Sequence, residues 1–154
     1  MNLACQLVQK YGPLIARVLL AQLFIVSGIG KIGRFAGTAA FMAGAGLPMA
    51  NALLVLTIVL ELGGGILLVL GWRARWVATA MFGFTFLTAV MFHAFWNANP
   101  VDLPNQLNNF MKNLSIMGGM LYVIAYGAGP LSLDSRRSAA STASAGNVKP
   151  RQRK

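Results

Sequence analysis

Residues 50–70, ANALLVLTIVLELGGGILLVL, decide the fold class. The run matches the roughly 20 apolar residues that cross about 30 Å of hydrocarbon at 1.5 Å each, and one carboxylate, Glu61, interrupts it. Three more stretches of similar character surround it, at about 13–33, 76–96 and 108–126. Pro13 suits an opening helical turn. Trp76 and Trp96 bracket the third stretch as interface belts prefer, and Gly127-Ala128-Gly129-Pro130 stops the fourth. The pattern predicts an all-α integral membrane four-helix bundle.

Composition agrees. Of 154 residues, 56% are hydrophobic and only 10% charged, against about 25% charged in soluble domains. So few charges cannot cover a water-facing surface, which makes the lipid bilayer the first partner. Cys5 is the single cysteine and His93 the single histidine. An intramolecular disulfide, a CxxC thiol oxidoreductase, bis-histidine haem ligation and a His-rich metal site are all excluded within one chain. No metal is assigned. Leu3-Ala4-Cys5 lacks the basic and apolar regions that precede a lipoprotein box, so no covalently bound cofactor or lipid is expected. The first stretch exceeds a signal-peptide core, and Lys31 sits where small residues should lead into cleavage, so an uncleaved helix is expected.

Basic residues set the expected topology. Arg73 and Arg75 occupy the short 71–75 turn, Arg136 and Arg137 open the C-terminal tail, and Lys10 and Arg17 flank the start of the first span. The 97–107 loop has only Asp102, and the 34–49 loop only Arg34. Positive-inside counting places both termini in the cytoplasm. The chain then divides into an N-terminal cytoplasmic segment 1–12, a membrane domain 13–134 and a disordered basic cytoplasmic tail 135–154. The tail reads as a topology determinant. Nucleic acid is not an expected partner, because no folded platform with interleaved aromatics surrounds the charge.

Ionisable groups inside spans are expensive and by default mark a site facing the bundle interior. Lys31, Glu61, His93 and Lys112 are the candidates here. Helical periodicity adds supporting polar groups: Arg17 and Ser27 share the face of Lys31, Thr57 that of Glu61, and Asn97 lies near His93. Asn108 and Ser115 flank Lys112. By helical rise Lys31, His93 and Lys112 lie within about 6 Å of the outer ends of their spans, and Glu61 about 16 Å deeper. This predicts an outward-facing pocket, cationic at its mouth, with a carboxylate at its floor. Arg17, Lys31 and Lys112 are the cations available to pair with Glu61. The bland alternative lets both lysines snorkel to the headgroups. A net-positive pocket suits an anion or an electron-rich carbonyl, and a quinone head group fits that chemistry. No catalytic residue is assigned.

These residues resemble the DoxX family of small four-helix membrane proteins. The resemblance is carried by Arg17 and the run Phe24 to Lys31, by Ala45-Gly46-Leu47-Pro48, and by Glu61 to Arg75. His93, Phe95, Lys112-Asn113-Leu114 and Gly129 to Asp134 complete it over about residues 13–135. It implies a multi-pass protein of the bacterial inner membrane. Family members include membrane subunits linked to thiosulfate oxidation with quinone as acceptor, and others associate with redox-defence proteins. The leading expectation is therefore a subunit of a redox-linked, quinone-contacting membrane complex, with a soluble or peripheral redox partner supplying the electron carrier. A small proton-coupled transporter of an anion or weak acid, and a structural partner protein without catalysis, stay open, as does a homo-oligomer.

Overall fold

The computed structural model describes residues 2–146, with side-chain surroundings for residues 2–142. The described residues form six α-helices: α1 (Leu3–Gly33), α2 (Phe35–Gly44), α3 (Ala50–Leu70), α4 (Ala74–Phe92), α5 (Leu103–Tyr126) and α6 (Leu133–Gly146). One 3₁₀ turn, Phe95–Asn97, joins α4 to α5. Three segments, Leu3–Gly33, Ala50–Leu70 and Ala74–Asn97, are long and apolar enough to cross a membrane. The 24 residues of α5 also reach across about 36 Å. Its first half is too polar to join the other three, because Asn105, Gln106, Asn108, Asn109, Lys112 and Asn113 fall there.

The start of α1 differs from the sequence expectation. Asn2 caps the helix, its side chain accepting the Ala4 N–H at 3.4 Å, and the helix runs on through Pro13. Beside that proline the chain turns at Gly129 with φ +79°, where any Cβ would collide with the Pro13 ring. Helix α1 also packs closely on α3. A Cβ at Gly28 would come within 2.8 Å of Leu62, and one at Gly65 within 2.7 Å of Ile25. These two missing side chains let α1 and α3 approach closely. Gly33 and Gly37, spaced as GxxxG, face open space.

Helix α1 ends at Gly33 while α3 continues past that level, and the short helix α2 covers the difference. Ala39 and Met42 of α2 pack on Leu54 and Ile58 of α3. A second, larger core at the opposite end joins Ala21, Phe24, Leu68, Ala78, Met81, Met120 and Val123 from α1, α3, α4 and α5. Glu61 stands along α3 between the two clusters.

The end of the bundle away from α2 is tied together by polar groups. Arg17 is buried, its Nη1 donating to the carbonyls of Leu68 (2.9 Å) and Val69 (2.8 Å) and its Nη2 to that of Leu131. It thus satisfies the orphan carbonyls at the α3 C-terminus. Gly71 closes α3 at φ +64°, and a side chain there would run into the Arg17 guanidinium and Ser132. Asp134 accepts the N–H groups of Arg73 (2.7 Å) and Ala74 (2.8 Å), capping α4 from a distant part of the chain. Beyond Asp134 the tail is helical through Gly146, as its alanines favour. The basic run 149–154 lies outside the described residues.

Candidate functional site

Lys31 sits in the last turn of α1, where a cation complements the partial negative charge of the helix end. Helical side chains lean back toward the N-terminus, and here that direction carries Nζ down to α3. It donates to Ser27 Oγ at 2.6 Å and to Glu61 Oε1 and Oε2, both at 2.8 Å. Ser27 Oγ in turn donates to Glu61 Oε1 at 3.2 Å. An ammonium has three donors, and each has an acceptor here. Gly28 lets α3 come this close: a Cβ there would stand 2.8 Å from the Leu62 side chain, the neighbour of Glu61.

The expected 16 Å of depth between Lys31 and Glu61 is therefore not found. It rested on α1 ending level with the start of α3, whereas α2 occupies that outer layer and lowers Lys31 to its partner. Arg17 does not approach Glu61. It is committed to the carbonyls at the far end of α3.

The pair faces a cavity of about 400 Å³ enclosed by α1 to α5. Glu61 stays beneath, with its side chain 5% exposed, while that of Lys31 is 25% exposed. Phe24, Phe41, Phe84 and Phe92 form apolar walls. Thr57, Thr85, Thr88, Asn105, Asn109 and Asn113 add polar groups. The Thr85 hydroxyl donates to the Met81 carbonyl at 2.8 Å, and that of Thr88 to the Thr85 carbonyl at 3.0 Å. His93 lies at the end of α4, its Nδ1–H donating to Gln106 Oε1 at 3.1 Å.

The structure thus brings Lys31, Glu61, Ser27, Thr57 and His93 to one cavity. Lys112, Asn108 and Ser115 share a different, shallow groove with Leu23, Met111 and Ile116. Asn97 belongs to a surface depression with Asn99, Asp102 and Gln106.

The sequence model of the DoxX family matches residues 12–94, which is more than half of the chain and contains Arg17, Lys31, Glu61 and His93. The chain belongs to the DoxX family. It is 42% identical over 126 residues to the inner membrane protein YqjF of Escherichia coli (strain K12), covering 82% of this chain and 92% of that protein. It is 37% identical over 123 residues to the inner membrane protein YphA of the same organism, covering 80% of this chain and 88% of that one. No solved structure matches it. With three helices able to cross a membrane, this DoxX protein is a multi-pass protein of the inner membrane.

Asn105, Gln106, Asn109 and Asn113 of α5 line the cavity but were not among the site residues expected from the sequence. That helix carries two polar stripes, Asn108-Lys112-Ser115 and Gln106-Asn109-Asn113. Only the second continues the buried line of Met117 and Met120, which spacing by three and four residues would have followed outward. Thr85 and Thr88 escaped because hydroxyls within an apolar run are ordinarily satisfied by their own helix, as both are here.

Proposed function

We propose that this DoxX protein is the membrane subunit of a redox-linked complex and holds a quinone head group beside the Lys31–Glu61 pair. One observation carries the reading: a fully hydrogen-bonded lysine–carboxylate pair within apolar helices opens, on its cationic side, to a cavity walled by phenylalanines. Ionisable groups in such helices are costly to retain without a task.

The residues suit the group. A volume near 400 Å³ falls within the roughly 300–1,000 Å³ of small-molecule sites. Phenylalanine rings stack against a flat ring, the amides of Asn105, Asn109 and Asn113 supply donors for its carbonyl oxygens, and Lys31, whose three hydrogens are held by Glu61 and Ser27, supplies positive charge beside them. A bound quinone supplies the capacity to take up two electrons and two protons. Lys31 holds positive charge against the oxygen on which negative charge develops. Glu61 and Ser27 fix that ammonium in place, and His93, held by Gln106, passes protons at the cavity rim. Electrons come from a peripheral partner protein.

In this proposal α5 is the fourth span, and both termini are cytoplasmic. The clustering of Arg73, Arg75, Arg136 and Arg137 at one end of the bundle supports that orientation. The test is a titration of the nanodisc-embedded protein with a short-chain ubiquinone, followed by intrinsic tryptophan fluorescence. Lys31→Met should weaken binding at least about tenfold, because it removes the positive charge beside the ring oxygen, and Lys112→Met should leave it unchanged. Parent-like affinity in Lys31→Met and in Glu61→Gln would sink the assignment.

A further inference from the structure

We propose that the cleft between the start of α4, the end of α5 and the first turns of α6 binds the phosphate of an anionic phospholipid. The cleft holds about 310 Å³ and is lined by Arg73, Arg75, Trp76, Asp134, Arg137 and Ser138, with Gly127 and Ala128 at its back. Three arginines face one acid, Asp134, which forms no ion pair with any of them. Both Asp134 oxygens accept backbone N–H groups, of Arg73 and of Ala74. Among the described residues the sole ion pair is Lys31–Glu61, at the other end of the bundle.

Arg75 and Arg73 are placed rather than loosely tethered. Arg75 Nη1 donates to the Ile124 carbonyl at 3.0 Å, fixing it across the α4–α5 seam. Arg73 is held at φ 45°, a conformation non-glycine residues seldom adopt, and its guanidinium carbon lies 5.2 Å from the Trp72 ring centroid. Arg137 approaches from α6. Planar guanidinium forks match two oxygens of a phosphate at once, which a lysine cluster would not.

The surroundings favour a lipid over a free anion. Trp76 is 76% exposed and Tyr126 72% exposed, and such residues settle at the level of lipid headgroups. They stand where the apolar lengths of α4 and α5 begin and end. A phosphate in the cleft therefore leaves its acyl chains lying along those helices. The cleft lies apart from the proposed quinone cavity, and neither reading depends on the other.

The full chain, in mixed micelles of phosphatidylglycerol and phosphatidylcholine, tests this by native mass spectrometry of retained lipid. The parent should retain phosphatidylglycerol preferentially. Arg73→Gln and Arg137→Gln should each cut that preference about fivefold, from roughly 1 kcal/mol per basic residue at an anionic surface. Arg136→Gln, one residue along α6 and outside the cleft, should not change it, and thermal unfolding of all three variants should match the parent. An equal loss with Arg136→Gln would reduce the effect to general surface charge and overturn the site. So would the absence of any preference, and complete displacement of the lipid by excess inorganic phosphate would reassign the cleft to a free anion.

Discussion

Lys31 directs all three of its ammonium hydrogens into the protein, two to Glu61 and one to Ser27. Removing one member of a buried pair strands the other, at a cost of about 3–5 kcal/mol when burial is complete. The two partners are not equally buried, so the two deletions should differ. Lys31→Met strands a carboxylate that is almost wholly enclosed and should approach that range. Glu61→Gln strands an ammonium that can turn into the cavity and should cost less. The double variant should recover much of the loss, because no unpaired charge remains; thermal unfolding of the four proteins in one detergent gives the cycle. Additive losses would show that the two side chains do not act as a pair. That Lys31 and Glu61 stand out was legible in the sequence, since charges in apolar runs are conspicuous. Lys31 was legible as one of three cations available to Glu61, but not as its partner, because taking the outer ends of spans 13–33 and 50–70 as level set Lys31 a layer too high.

At the scale of elements, the ends of the helices depend on residues remote in sequence. Arg17 of α1 completes the C-terminus of α3 and reaches the Leu131 carbonyl, while Asp134 caps α4. A lysine keeps the charge of Arg17 but lacks the fork that reaches several carbonyls. Arg17→Lys should therefore leave at least one buried carbonyl unsatisfied, costing about 1–3 kcal/mol and lowering the unfolding temperature. A parent-like temperature would mean that charge alone matters at this position. Hydropathy exposed α3 and α4 within a few residues, because a span must be long, apolar and bounded by turns. It could not choose the inward face of α5, where Lys112 drew attention to one polar stripe while Asn109 and Asn113 lined the cavity on another. Nor could it show α2, whose ten residues FAGTAAFMAG are too short to cross a membrane and read as loop.

At the scale of the whole molecule, the two ends are built for different work. One is closed by Arg17, Gly71 and Asp134 around a packed core. The other opens into the cavity beside Lys31 and Glu61, roofed by α2 and rimmed by His93 and Gln106. A DoxX protein of this form has a cavity beside a buried ion pair and no group of three metal-ligating side chains among its described residues, and the proposal places the electron carrier on a partner. The most direct measurement of that claim is purification of the chain from its native membrane in a gentle detergent, with mass spectrometry of everything that accompanies it. The account predicts quinone in near-stoichiometric amount together with a redox protein in fixed ratio, and loss of the quinone from the Lys31→Met protein. Phospholipid alone, with neither quinone nor a redox partner, would contradict it.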